Sequence, residues 1–144
     1  KNDSGDIIIS DIPGLIKDAH KGVGIGTRFL GHIERCVALL HVIDATDKSP
    51  LKSLKSVNRE LKEYDTNLMN KKQIVIISKI DLINDRELEK ILQKIKKYTK
   101  IAVYSCSSVN KLGLENIVNK LNNLVQDNKI LKKNKDEKWL PENQ

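Results

Sequence analysis

Short apolar runs along this chain alternate with stretches in which apolar positions recur every three or four residues. Four runs read as strands. The first, around Ile7-Ile8-Ile9, covers residues 5–10 and stops on Asp11. Val37 to Ile43 is almost unbroken and ends at Asp44, and Ile74 to Ile77 ends in Ser78-Lys79-Ile80-Asp81. Ile101 to Tyr104 runs into Ser105-Cys106-Ser107. Near-continuous apolar runs of this length are what strands covered on both faces look like.

The intervening stretches carry a helical period. Leu51, Leu54, Val57, Leu61 and Tyr64 follow Ser49-Pro50, a pairing suited to an N-cap and first helical position. Leu88, Ile91, Leu92, Ile95 and Tyr98 form a second inward stripe, opened by Asn84 with Glu87 three residues on, a capping-box pattern. Leu114, Ile117, Val118, Leu121, Leu124 and Val125 form a third, starting near Gly113. A short helix from about Thr27 to Arg35 is expected, with Phe29, Leu30 and Ile33 on one face. Strands alternating with helices predict an α/β fold with three layers and a mostly parallel sheet.

Between the first strand and that short helix the period breaks. Pro13 and Gly14, then Gly22, Gly24 and Gly26, mark residues 11–26 as a loop. Residues 126–144 lose the pattern too. They are rich in Lys, Asn, Asp and Glu and read as a polar, weakly ordered tail carrying Trp139 and Pro141.

Composition narrows the class. A chain of 144 residues, 39% apolar and 31% charged, is one ordinary globular domain, with an aliphatic core because aromatics make up only 3%. No apolar stretch is long enough to span a membrane, and the polar start is no signal peptide. Cys36 and Cys106 have no metal-type spacing, and a reduced, cytoplasmic protein is expected. The net charge of +7 fits contact with nucleic acid or the ribosome, or simply lysine-rich helix faces.

Chemistry enters at the strand ends. Strands of a parallel sheet point the same way, so Asp11-Ile12-Pro13-Gly14, Ser78-Lys79-Ile80-Asp81 and Ser105-Cys106-Ser107 converge on one rim, where open α/β sheets bind ligands. The residue types suit a guanine nucleotide. Asp11 can hold a water of a Mg²⁺ shell, since Mg²⁺ keeps several waters. Gly14, without a Cβ, can bring its N–H to a γ-phosphate. The Asp81 carboxylate can accept from both N1–H and the exocyclic amine of guanine, a pair that adenine lacks. The stem of Lys79 can lie over the base, and Ser105 and the Cys106 N–H can meet the base carbonyl.

The residues from Asp11 to Gly24, followed by Phe29-Leu30 and His32 to Arg35, resemble the Obg group of translation-associated GTPases. The pattern is Asp-aliphatic-Pro-Gly, two aliphatics, two further residues, Ala, two residues and Gly-x-Gly. Asp11, Pro13, Gly14, Leu15, Ile16, Ala19, Gly22 and Gly24 match it, and the likeness runs from about residue 5 to residue 125. It implies a GTPase domain of the P-loop type over residues 1–125, binding GTP and GDP with Mg²⁺. It also implies slow hydrolysis, a cytoplasmic monomer, and an interaction with the large ribosomal subunit or its RNA. Residues 11–26 would be the second switch region, and residues 78–81 and 105–107 the guanine loops. Leu15 stands where many small GTPases keep a water-orienting Gln, so no catalytic residue is identifiable.

The sequence departs from that pattern in four places. Lys17-Asp18 replaces an acidic or Tyr residue followed by Gly or Asn, which reverses a charge on the switch surface. Ser78 stands where an Asn is expected, at a cost on the order of 1 kcal/mol, or about tenfold in affinity. No Gly-x-x-x-x-Gly-Lys-Ser/Thr occurs among the 144 residues. The strand that would lead into that loop, between residues 6–10 and 37–43, has no counterpart either, which leaves two strand edges to close on each other or stay unpaired. The chain therefore reads as the C-terminal portion of such a domain with weak or no turnover of its own. A non-hydrolysing ribosome- or RNA-binding module is the alternative. A phospho-acceptor site on Asp11 is disfavoured by the Pro-Gly that follows it.

Overall fold

A computed structural model describes residues 7–11 and 35–137. In chain order its elements are β1 (Ala38–Asp44), α1 (Pro50–Tyr64), β2 (Lys72–Ser78), α2 (Asp85–Tyr98), β3 (Ala102–Ser105) and α3 (Leu114–Glu137). Short 3-10 segments cover Thr66–Asn70 and Ile80–Leu82. The three strands form one parallel sheet in the order β1-β2-β3. Asp44 lies opposite Ser78 and Ile77 opposite Ser105, so the three strands end level with one another.

β2 is central, and its alternation builds two cores. Val75 and Ile77, fully buried, face α1 and α2, where they meet Ile43, Leu54 and Ile95. Ile74 and Ile76 face α3 and meet Cys106, Ile117, Leu121 and Leu124. The result is a three-layer α/β/α arrangement. Each buried aliphatic of this size contributes roughly 1.5–3 kcal/mol through removal from water. A smaller cluster of Leu39, Leu61 and Leu68 closes the far end of α1.

The expected helix starts are seen in part. Asn84 Oδ1 accepts from the Glu87 N–H at 3.0 Å, and Glu87 Oε2 accepts from the Asn84 N–H at 3.2 Å, a complete capping box for α2. At α1, Pro50 takes the first position but the Ser49 side chain makes no cap. The Asp47 carboxylate instead accepts from the Ser49 N–H at 2.9 Å and from the Ser53 hydroxyl at 2.5 Å.

Several expectations need correction. Residues 7–11 belong to no strand. Ile7 packs beside Ala38 and Leu40 on the α3 face, while Ile8 and Ile9 are 93% and 71% exposed. The two edges therefore do not close on each other. Among the described residues β1 is an edge strand, and Val42 on it is 57% exposed. Tyr98, assigned inward, is 43% exposed, since it lies at the last position of α2 with its ring under the Lys55 ammonium, 5.0 Å from the centroid. Val118 follows the buried Ile117 by one residue and turns outward. α3 continues to Glu137, through residues read as tail. The expected short helix falls outside the described residues except for Arg35, which is helical.

Candidate functional site

The carboxyl ends of the three strands are stitched into one rim. Between β1 and β2, the Ala45 N–H donates to Ser78 O at 2.9 Å and the Ser78 hydroxyl donates to Ile43 O at 3.1 Å. Between β2 and β3, the Cys106 N–H donates to Ile77 O at 2.8 Å and the Ile80 N–H to Cys106 O at 3.3 Å. Ser78, standing for an Asn, thus ties β2 to its neighbouring strand through its short hydroxyl.

Lys79 follows in the left-handed conformation, φ 58° and ψ 38°. That conformation costs about 1–2 kcal/mol for a residue with a Cβ. It turns the chain at once from strand into the Ile80–Leu82 segment, which the Leu82 N–H closes on Lys79 O at 3.1 Å. Lys79 Nζ lies 2.5 Å from Asp44 Oδ2. The other Asp44 oxygen accepts from the Thr46 N–H at 2.8 Å and the Thr46 hydroxyl at 2.7 Å. The Lys79 ammonium, then Thr46, hold the Asp44 carboxyl down at about 2, and Asp44 in turn raises Lys79. Asp44 therefore anchors the tip of Lys79 and leaves its stem lying along the rim. Strand-end position was the only sequence signal for Asp44, and it was too weak to mark it as a site residue.

Asp81 sits in the 3-10 turn, exposed, and no hydrogen bond or ion pair engages its carboxylate among the described residues. Across from it, the loop after β3 is built on Ser107, which is fully buried. Its N–H and C=O pair with Leu112 in both directions at 3.0 Å, and its hydroxyl accepts from the Asn110 N–H at 3.1 Å. Lys111 (φ 55°) and Gly113 (φ 72°) make the two left-handed turns that return the chain to α3. A Cβ on Gly113 would lie 2.2 Å from Ser105 O, so only glycine fits.

The Cys106 N–H, expected to reach a base carbonyl, is engaged by the sheet, and burial pushes the Cys106 thiol up. Ser107 is a structural hub. The first amide past the ladder without a hydrogen bond among the described residues is that of Ser108, which is exposed. Ser105 ends β3, half-buried. At the other end of the site Asp11 is described and exposed, while Ile12, Pro13 and Gly14 lie outside the described residues.

No group of three or more His, Cys, Asp or Glu able to hold a metal occurs among the described residues. The exposed carboxylate of Asp11 suits an ion that keeps its waters rather than one caged by protein. His41, buried on β1, bonds Gln73 Oε1 through Nε2 at 3.0 Å and is a satisfied core residue. No described helix is long and apolar enough to cross a membrane.

A family model described as 50S ribosome-binding GTPase matches residues 1–79, more than half of the 144 residues. The chain belongs to that family. Among its relatives, the GTPase Obg of Buchnera aphidicola is 44% identical over 115 residues, covering 76% of this chain and 34% of its own length. The GTPase Obg of Prochlorococcus marinus is 41% identical over 119 residues (82% and 36%), and that of Thermosipho africanus 39% over 125 residues (85% and 29%). The chain thus spans about a third of the length of these relatives. A solved structure of a putative nucleolar GTP-binding protein 1 from Plasmodium falciparum superposes with a TM-score of 0.54 at 18% identity, covering 89% of this chain and 68% of that one. That likeness supports the G-domain fold, and the relatives make this an Obg-type G domain.

Proposed function

We propose that this chain supplies the guanine-recognising rim and the second switch of an Obg-type GTPase, binding GTP and GDP with Mg²⁺. The supporting observation is the stitched rim. It sets the unengaged Asp81 carboxylate, the anchored stem of Lys79 and the unengaged Ser108 N–H around the end of β2 and β3. Asp81 accepts from N1–H and the exocyclic amine of the base, the Ser108 N–H donates to the base carbonyl, and the Lys79 stem covers one face of the ring. Ser78 and Ser107 hold these groups in place from behind, and Ser105 closes the strand beside them.

Asp11 with Ile12, Pro13 and Gly14 serves the phosphate end. Asp11 would hold Mg²⁺ through a water, and the ion would supply charge neutralisation at the phosphates. The roles assigned to these residues are base recognition and switching. The wider reading is a cytoplasmic monomer that couples nucleotide state to the large ribosomal subunit; the family description and the basic charge favour the ribosomal contact.

Titration with a fluorescent GDP analogue tests the reading. Asp81→Asn removes two charge-assisted hydrogen bonds, and GDP affinity should fall about a hundredfold or more. A xanthine nucleotide, which presents a carbonyl where guanine has its amine, should gain relative to GDP. Equal loss for both bases, or no loss for GDP, would refute the assignment.

A further inference from the structure

The basic charge of this chain is not spread evenly. A groove of about 580 Å³ runs between the first half of α1 and the middle of α2. Lys48, Lys52 and Lys55 line one wall and Lys90 and Lys94 the other. Leu51 and Ile91, half-buried and packed on the core beneath, supply apolar lining between the rows. No Asp or Glu lines the groove. Acidic side chains nearby have other partners. Glu63 pairs with Arg59, Glu87 closes the capping box, Glu89 bonds Gln93, and Asp47 holds the start of α1. Because Asp47 occupies that helix start, the lysines and not the helix terminus make the site.

Lys52 and Lys55 on α1, and Lys90 and Lys94 on α2, stand three or four residues apart, about one 5.4 Å turn, and Lys48 extends the first row just ahead of α1. Two such rows facing each other repel until a polyanion lies between them. The lining holds no arginine, whose rigid fork would select a single carboxylate or phosphate. Lysines are point charges on flexible stems and track a backbone of repeated charges. At one end the exposed Tyr98 ring sits under Lys55 and offers an aromatic face beside the charge row. Charged rows, an apolar lining and an aromatic at the margin are the features that hold single-stranded nucleic acid.

We propose that this groove binds single-stranded RNA, phosphates on the lysine rows and bases or riboses over Leu51 and Ile91. The inference uses no residue of the guanine rim and stands apart from the nucleotide reading. A fluorescently labelled oligouridine 12-mer, followed by anisotropy with the full chain, provides the test. Affinity should fall with salt at a logarithmic slope of about −3.5 if all five lysines meet phosphates. Lys52→Gln with Lys90→Gln should weaken binding roughly twentyfold at 0.1 M salt and flatten the slope by about 1.4. Lys72→Gln with Lys100→Gln removes the same charge from exposed positions outside the groove and should change affinity less than about threefold. All four lysines are exposed, so both variants should melt like the parent. Binding of the GDP analogue should be the same in all three proteins, which separates failure here from failure of the nucleotide reading.

Equal weakening by the two variants would overturn the proposal in favour of diffuse charge. Competition by polyglutamate as effective as that by RNA would overturn it in favour of an acidic protein partner. Groove-dependent binding to anionic lipid vesicles without binding to the 12-mer would overturn it in favour of a membrane surface.

Discussion

The rim at the ends of β2 and β3 and the segment Ile7–Asp11 carry the two halves of one proposed site, and they are built very differently. At the rim every turn closes on its own neighbours. Cys106 bonds Ile77, Ile80 bonds Cys106, Ser107 and Leu112 bond each other, and Ser78 bonds Ile43. Ile7–Asp11 pairs with no strand, and only Ile7 reaches the core. A base-reading site can be assembled from two adjacent strands and the loops they launch. A phosphate-sensing carboxylate at Asp11 needs a flanking ladder to fix it, and β1 leaves that edge unpaired among the described residues.

The largest expected effect breaks the closed half. Gly113→Ala places a Cβ against Ser105 O in a left-handed turn. The conformational cost and the clash together should destabilise the chain by about 3 kcal/mol in urea unfolding. GDP binding should fall with it, because the displaced loop carries Ser108. A cost below about 1 kcal/mol would show that the loop can shift and that the rim is not closed as described.

A smaller effect sharpens the contrast within Ile7–Asp11. Ile7 is half-buried on the α3 face, whereas Ile8 is 93% exposed. Ile7→Ala should cost about 1 kcal/mol and Ile8→Ala less than about 0.5 kcal/mol, read as urea midpoints at constant slope. Equal costs would mean that Ile8 is buried and that the segment pairs after all.

Legibility in the sequence divides along the same line. β2, α1 and α2 were readable because burial on both faces of a strand, or on one stripe of a helix, leaves a period in the residues. Asn84 and Glu87 were readable because their hydrogen bonds are local. The Ile7-Ile8-Ile9 run has the composition of a strand, but a strand needs a partner, and pairing is not a property of one segment. Tyr98 has the right spacing for the core, yet it ends its helix, where the sheet no longer covers it. That the Cys106 N–H is taken up by the sheet while the Ser108 N–H is not depends on how far the β2–β3 ladder runs, which no local pattern records. The Asp44–Lys79 pair joins residues 35 apart in sequence and comes from the register of two strands.

That pair offers the smallest and most selective probe. Asp44 is held at about 2, below its usual 3.8, so its contribution is complete above roughly pH 4 and is lost as pH falls through about 2. His41, on the same strand, moves in another window. Burial lowers it from its usual 6.5 despite the Gln73 bond, so stability should decline as pH falls below 6.5, when the unfolded chain takes up a proton that the folded core resists. Asp44→Asn should remove the acid component, leave the decline below 6.5 intact, and show a difference from the parent that shrinks between pH 4 and 2. The difference should also shrink in 1 M salt, because Lys79 and Asp44 are 57% and 36% exposed. A difference unchanged by salt would mean that Asp44 acts mainly through its bonds to Thr46, making the turn after β1, and not the lysine, its principal partner.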